Sequence, residues 1–376
     1  MEEHPLITLR RAFGSVADPR VARTREHELL DVFTIAICAV ICGADSWTDM
    51  ELFGNAKRAW LGRFLLLPNG IPSHDTFSRV FARIDPAQFQ ACFLAWVQTL
   101  VARSDGQVVA VDGKTLRHSG DTTGGHAPIH MVSAWATDNH VVLGQLKVNA
   151  KSNEITAVPA LLRLLDLTDC IVTVDALNCQ TATASQIVAQ DADYVLALKG
   201  NHPRLYAEVV TTFTDARATH FRDVAHGTTI QTEKGHGRIE TRQAWLITDP
   251  AYLQYLDSRG VWPQLRAIGM VEAERQIGTT LSRATRYYLV SFTDVAQFAH
   301  AVRAHWGIEN QLHWTLDVAF AEDASRVRAD HSAENFAVLR HIALNLLKQH
   351  PAKLSIKSKR HKAGWDDTFL YTVLVN

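Results

Sequence analysis

The sequence lacks a cysteine framework, a membrane-length apolar run and the pattern of an N-terminal signal peptide. Its five cysteines are odd in number and scattered, so they match neither a disulfide scaffold nor a zinc knuckle and indicate a reducing compartment. The most apolar stretch, 29–44, contains Asp31 and reaches Gly43 before ~20 apolar residues accumulate, which predicts a buried helix rather than a membrane span. These absences together predict a cytoplasmic protein.

The chain also lacks an excess of either charge, which excludes a uniformly basic nucleic-acid binder. The formal net charge is −1 over 376 residues, but the basic residues are grouped. One group near a single turn contains Lys234, Arg238 and Arg242. A second group, in segment 348–362, has six basic residues and no acid: Lys348, Lys353, Lys357, Lys359, Arg360 and Lys362. Such a run is either a solvated tail or an arm that contacts phosphates.

Residues 1–100 have the apolar periodicity of an all-helical region, with helices predicted over Leu29–Cys42 and Trp47–Trp60. A further predicted helix follows a Pro/Gly turn and takes Ser73 as its N-cap. Its exposed side carries Arg79. This capped helix is either a DNA-reading unit or a scaffold that packs on the next domain, and the sequence leaves both open.

Two predicted strands further along the chain run directly into an aspartate. Val108–Val111 is followed by Asp112, and the β-branched run Ile171–Val174 is followed by Asp175. A carboxylate beside an interior of low polarity needs a partner, and a metal ion is the usual one. A single aspartate in such a place is as often a turn former, but the recurrence favours a pair of metal ligands.

The elements predicted over residues 107 to about 200 follow the order β-β-β-α-β-α-β. The first three strands are predicted to form an antiparallel meander, and the next two to be reached by right-handed helical crossovers. Residues of about 201–296 then alternate short strand-like pieces with polar turns, which predicts a mostly β insertion with several hairpins. A helix is predicted over Val295–Leu316, where a spacing of four places His305, Glu309 and His313 on one stripe.

This unit, with Asp112, Asp175 and Glu309, resembles a ribonuclease H-like nucleotidyl-transferase core. Motifs that run almost end to end resemble bacterial insertion-sequence transposases of the DDE class, in the branch of H-repeat-associated proteins: HELLDVFTIAICAVICGADSW, PNGIPSHDTFSRVFARID, VAVDGKTLR, KSNEITAVPALLRLL, TVDALNCQ, YVLALKGNH, HGRIETR, HWGIENQLHW and LDVAFAED. The resemblance implies an α/β (α+β) fold. A ribonuclease H-like catalytic domain would span 101–376 with a β-rich insertion, after a helical domain at 1–100.

The resemblance also implies a function, namely DNA-mediated transposition by two-metal phosphoryl transfer. Asp112, Asp175 and Glu309 would be both the catalytic residues and the ligands of two Mg²⁺ ions, with Mn²⁺ as a substitute. The partners would be double-stranded DNA, as terminal inverted repeats and as target, and a second copy of the chain when assembled on DNA. A bacterial protein of this kind is expected in the cytoplasm, on the nucleoid when DNA-bound.

In related transposases the glutamate lies in a helical Tyr…Arg…Glu…Lys signature whose other members hold the DNA backbone. Here His305, Val302 and Leu316 occupy the Arg, Tyr and Lys positions. His305, His313, Arg303 or Arg326 are candidates to substitute in these contacts. The full set of predicted DNA-contacting residues is Arg79, Arg238, Arg242, His305, His313, Arg326, Lys357, Lys359 and Arg360.

Several alternatives stay open. Glu322 or Asp323 could replace Glu309 as the third acid, and His305, Glu309 and His313 could form a transition-metal site instead. Lys199 and Asn201, after the fifth strand, either approach the scissile phosphate or belong to an ordinary turn. At the level of function, the rivals are a transposase-derived DNA-binding protein without activity and a structure-specific nuclease of the same fold.

Overall fold

The computed structural model describes residues 5–100, 106–120, 127–148, 153–235 and 237–375. The N-terminal region is helical, as predicted. Its helices are α1 (Pro5–Phe13), α2 (Leu29–Ile41), α3 (Trp47–Ala56), α4 (Arg58–Leu61), α5 (His74–Arg83) and α6 (Pro86–Leu100). The helix predicted over Trp47–Trp60 is therefore two helices, because the backbone leaves helical geometry at Lys57, with φ −102° and ψ 12°.

Helix α5 has the predicted cap and the predicted apolar face. The Ser73 hydroxyl accepts a hydrogen bond from the Thr76 backbone N–H, which satisfies one of the free donors of the first turn. Phe77 and Phe81 are fully buried, whereas Arg79 is exposed. One side of this helix therefore packs into the core, and the other side presents an arginine to solvent.

A sheet of five strands follows: β1 (Val108–Leu116), β2 (Ile129–Ala136), β3 (Val141–Lys147), β4 (Ile171–Val174) and β5 (Asp193–Leu198). The crossover helices are α7 (Glu154–Leu162) and α8 (Thr181–Val188). Strand β1 is antiparallel to β2 and parallel to β4, and β4 is parallel to β5. The order β3-β2-β1-β4-β5 confirms the predicted β-β-β-α-β-α-β unit and is the order of a ribonuclease H-like core.

One detail of β1 differs from the prediction. Asp112 lies in the middle of this strand and not at its end, because β1 continues to pair with β2 as far as Leu116. On the other side, the pairing of β1 with β4 stops at Val111 opposite Val174. Asp112 is therefore held by a strand on one side only, and its other side is open.

The β-rich segment continues this sheet. Its strands are β6 (His226–Gly235), β7 (Arg238–Ile247), β8 (Ala267–Ile277) and β9 (Thr280–Val290). They form antiparallel hairpins, and β9 pairs with β5, which gives nine strands in the order β3-β2-β1-β4-β5-β9-β8-β7-β6. Two helices in this segment were not predicted: α9 (Pro203–Ala218) and α10 (Pro250–Leu256). Each begins at a proline, a residue that suits the first turn of a helix.

The last part of the chain is helical: α11 (Val295–Gly307), a π-helical turn (Ile308–His313), α12 (Trp314–Phe320), α13 (Ser332–Gln349), α14 (Ile356–Trp365) and α15 (Asp367–Val375). The single helix predicted over Val295–Leu316 is thus interrupted by a π turn that contains Glu309 and His313. Such turns are frequent at functional sites. In the part of the chain that the structure describes, no helix is long and apolar enough to cross a membrane.

Helix α13 joins the N-terminal helices to the rest of the protein. The Trp47 ring stacks on Phe81 with centroids 5.2 Å apart, and Phe336 of α13 meets Trp47 edge-on at 5.0 Å. The side-chain amide of Asn335 donates to the carbonyls of Phe81 and Ile84, at the end of α5. The N-terminal helices therefore share one hydrophobic core with α13.

Two residues of the predicted basic arm are buried, which corrects their assignment as DNA contacts. The Lys359 ammonium donates to the carbonyls of Leu347 and His350, each at 2.7 Å. The Arg360 guanidinium donates to the Val40 carbonyl at 2.9 and 3.1 Å. Both side chains saturate backbone acceptors inside the fold and are unavailable to phosphates. Lys357 remains exposed.

Replacing Arg360 by Ala is expected to lower the free energy of unfolding by about 2–3 kcal/mol, because buried carbonyls lose their charged donor. Lys357→Ala, three residues earlier on the same helix, is the control and is expected to change it by less than about 0.5 kcal/mol. Urea unfolding of the two variants makes the comparison. Equal stability of both would contradict a structural role for Arg360.

Candidate active site

Asp112, Asp175 and Glu309 line one cavity of about 330 Å³. The paired residues Val111 and Val174 precede the two aspartates on neighbouring strands, which brings both carboxylates to the same edge. Glu309 reaches the cavity from the π turn after α11, which packs across β1 and β4. The sequence therefore located three acids that the fold brings to one place.

Asp112 lies in an environment of uncompensated negative charge. Burial raises the pKa of its carboxyl from 3.8 to about 7, and the charges of Asp175, Glu154 and Glu309 add to the increase. The Gly113 backbone N–H acts in the opposite direction. In this cluster, burial and the repulsion between carboxylates keep one of them protonated near neutral pH. A bound cation would offset that repulsion.

Glu154, at the start of α7, is a member of this cluster that the sequence did not predict. Its carboxylate accepts from the side chain of Asn178, and its other oxygen lies 2.8 Å from His130 Nε2. In the sequence it is one residue of the motif KSNEITAVPALLRLL, and the structure shows it to be the first helical residue after the Asn153 cap. Nothing in that local pattern distinguishes a site residue from a favourable charge at a helix N-terminus.

His313 adds a nitrogen to the acids. Its Nδ1 lies 3.3 Å from Glu309 Oε2 and 3.6 Å from Asp112 Oδ2. One donor atom from each of these residues lies within 4.8 Å of the others, a grouping that could hold a metal ion. Burial and then the charge of Lys114 lower the pKa of the His313 ring, so its neutral form is favoured. The ring is 6% exposed and faces the acids, and contact between His313 and DNA stays a prediction.

Asp175 faces this group from the loop after β4, and Asn178 orients it. The backbone N–H and the side-chain amide of Asn178 both donate to Asp175 Oδ1 at 3.0 Å. Asn201 braces the same loop by donating to the Ala176 carbonyl. Lys199 lies at the cavity, so one of the two residues after β5 reaches the site and the other supports it.

Comparison with known proteins identifies the family. Residues 103–346 match the family described as transposase DDE domain, and residues 10–97 match the one described as DDE_Tnp_1-associated. The chain belongs to the DDE transposase family. It is 39% identical to YncI of Escherichia coli O157:H7 over 96% of this chain and 93% of that protein. It is 38% identical to the H repeat-associated YhhI of E. coli K12, over 96% and 95% respectively.

Both of these E. coli proteins carry the word transposase in their names. A Xanthobacter autotrophicus protein from the dhlA 3′ region is 41% identical over 75% of this chain and 93% of its own length. Among solved structures, a piggyBac transposase synaptic complex with hairpin DNA matches 98% of this chain and 81% of that one, with a TM-score of 0.43 and 9% identity. That similarity is too remote to assign residue roles.

In this transposase the stripe of His305, Glu309 and His313 does not form the alternative metal site. His305 Nδ1 lies 2.8 Å from the Thr173 hydroxyl, and burial lowers the pKa of its ring to about 4. Within the described ranges, the group that gathers around Glu309 contains Asp112 in place of His305. His305 lines the cavity as a neutral ring, and contact between it and DNA stays a prediction.

Glu322 and Asp323 do not replace Glu309 as the third acid, since neither lines the cavity. Glu322 is 3% exposed and lies 2.9 Å from the Lys114 ammonium, with Arg340 at 3.8 Å. Asp323 lies 3.3 Å from Arg117. The Lys114 ammonium also donates to Asp317, so this network ties β1 to the segment around α12.

The other predicted DNA contacts lie on the surface. Arg79, Arg326 and Lys357 are exposed, and Arg238 and Arg242 are partly exposed on β7. Their contact with DNA stays a prediction.

Proposed function

We propose that this transposase cleaves the ends of its DNA element and joins them to target DNA. The observation that carries the proposal is the convergence of Asp112, Asp175 and Glu309 on one cavity, where burial, and then the charges of the neighbouring acids, raise the pKa of Asp112 to about 7. A cleft of this kind suits phosphoryl transfer, which requires positioning and charge stabilisation rather than a nucleophilic side chain. Water would attack first, and the liberated 3′-hydroxyl would then attack target DNA.

The three acids fit a pair of divalent cations. Asp112 would contribute to both ion positions, with Asp175 on one side and Glu309 on the other. When bound, the two ions would supply activation of the attacking oxygen and stabilisation of the leaving oxygen. Carboxylate oxygens suit both Mg²⁺ and Mn²⁺, so Mn²⁺ is the expected substitute.

The remaining groups of the site orient the acids or balance charge. Asn178 fixes the rotation of the Asp175 carboxylate, and the Gly113 N–H stabilises the ionised form of Asp112. Lys199 brings a positive charge to the cavity, where it would attract a phosphate. The Thr173–His305 contact fixes the ring that packs against the acids.

Strand transfer with pre-cut DNA tests this function. The purified full chain would receive duplexes that end in a free 3′-hydroxyl and carry the DNA bordering its gene, together with a supercoiled plasmid and Mg²⁺. Covalent joining to the plasmid, lost with a chelator, is the expected result. Cleavage without joining would indicate a structure-specific nuclease, and binding with neither reaction would indicate a DNA-binding protein without activity.

We also propose that α5 recognises the element ends and that two copies of the chain assemble on them. A helix fits the major groove, and the exposed Arg79 could contact a guanine at two points. Arg79→Ala in the full chain is expected to weaken binding to the bordering DNA by about 1–3 kcal/mol and binding to a scrambled duplex much less. Equal losses on both duplexes would make Arg79 a backbone contact only.

A further inference from the structure

A groove of about 460 Å³ on the inserted strands adjoins the active-site cavity. Arg286 and Trp306 line both spaces, so the groove begins at the wall of the cavity that holds the acids. Its arginines come from β7, β8, β9 and α11: Arg238, Arg242, Arg275, Arg283, Arg286 and Arg303. The proposed cleavage reaction assigns no role to Arg275 or Arg286.

Strand register explains the shape of the groove. Residues two apart on a strand face the same side, so Arg286 faces the same side as Tyr288, which lines the active-site cavity. Ala273 pairs with Ala284, and Ser282 pairs with Arg275 on the adjacent strand. The three small side chains Ala273, Ser282 and Ala284 line the groove between the longer arginines, and they leave room for a guest.

The charge of the groove is positive and incompletely paired. Glu240 is the one acid among its lining residues. Arg242 and Arg303 each pair with Glu233, both at 3.2 Å, and Arg283 pairs with Glu274 at 2.8 Å.

Arg275 and Arg286 differ from these three arginines. In the described part of the chain, neither has a carboxylate within ion-pair distance of its guanidinium. Arg286 lies over the Trp306 ring, 5.2 Å from its centroid. Guanidinium groups held in a concave surface without a carboxylate bind phosphate oxygens well, since their paired N–H groups match the phosphate geometry.

We propose that this groove holds the sugar–phosphate backbone of DNA on one side of the scissile phosphate, with Arg275 and Arg286 as its phosphate contacts. The inference rests on the proposed function in one respect, that the scissile phosphate lies at Asp112. The groove shares a wall with that site, so a strand that leaves the acids would enter it directly. These contacts read the backbone and are expected to be independent of sequence.

Salt-dependent DNA binding by full-length protein tests the groove separately from catalysis. All variants would carry Asp112→Asn to block cleavage, and a random-sequence duplex would be the probe. Arg275→Ala together with Arg286→Ala is expected to reduce the slope of log affinity against log salt by about 1.8, at ~0.9 per phosphate contact. The matched control is Arg204→Ala with Arg259→Ala, two exposed arginines near α9 and α10.

A second variant tests shape without a change in charge. Ala284→Leu would fill the groove and is expected to weaken binding of the same duplex at least about threefold.

An unchanged slope for the double arginine variant, or the same decrease in the control pair, would overturn the proposal. A decreased slope in a protein whose wild type cleaves no DNA would support the groove and refute the proposed function. If the wild type cleaves DNA but the double arginine variant keeps the wild-type slope, the proposed function is supported and the groove proposal is refuted.

Discussion

Replacing Asp112 by Asn is expected to reduce Mg²⁺-dependent DNA cleavage by about 1000-fold or more. The reason is that Asp112 is the most central of the acids, being coupled electrostatically to Asp175 and Glu309 together. A loss of about 4 kcal/mol of transition-state stabilisation corresponds to that factor. Cleavage of end-labelled duplex in single-turnover conditions provides the measurement. Asp191→Asn is the control, since Asp191 is exposed and its backbone has φ 55°, which Asn also tolerates.

The same substitution is expected to remove part of the pH dependence of stability in metal-free protein. The pKa of Asp112 is raised from 3.8 to about 7 in the fold, so proton binding by this carboxyl stabilises the folded state. This contribution to the free energy of unfolding is fully present below pH about 4 and is lost as the pH rises through 7. That loss is on the order of a few kcal/mol. Urea unfolding with a chelator at pH 5 and pH 8 should show a larger decrease for wild type than for Asp112→Asn. Equal decreases in the free energy of unfolding for the two proteins would mean that the group with the raised pKa is not Asp112.

Glu322→Gln is expected to lower the free energy of unfolding by about 3–5 kcal/mol, because it leaves the partly buried Lys114 and the buried Arg340 without their shared carboxylate. Burial alone would raise the pKa of Glu322, but Lys114 and then Arg340 hold it below its ordinary value. Chemical unfolding measures the effect, and Asp323→Asn on the next residue is the control. A Glu322→Gln protein of wild-type stability that cuts no DNA would restore Glu322 as a catalytic acid.

The sequence predicted the core of the fold because each pattern that indicates its strands and acids lies within a short stretch of the chain. A β-branched run before Asp112 and another before Asp175 define neighbouring parallel strands, and the motif around Glu309 supplies the third acid. The spacing of four around Glu309 assumed a straight helix. A π turn there brings His313 to the acids and leaves His305 with Thr173.

The misassigned residues depend on contacts that are distant in sequence. Lys359 and Arg360 lie in a run that is basic and polar in sequence, but the carbonyl that accepts from Arg360 belongs to Val40 at the far end of the chain. Glu154 joins the acids only because α7 packs against β2 and β3. Pairing of Arg275 with Ser282 likewise follows from the hairpin register, which the sequence left undefined.

The most direct test of the central claim is a Mn²⁺ titration that records bound ion and DNA cleavage in the same samples, for wild type and Glu309→Gln. Free Mn²⁺ is read by electron paramagnetic resonance and cleavage by gel, and thermal unfolding verifies that the variant is folded. Cleavage that rises with bound Mn²⁺ in wild type, and the loss of both in folded Glu309→Gln, is the predicted result. A Glu309→Gln protein that binds Mn²⁺ and cuts DNA as wild type does would contradict a site built from Asp112, Asp175 and Glu309.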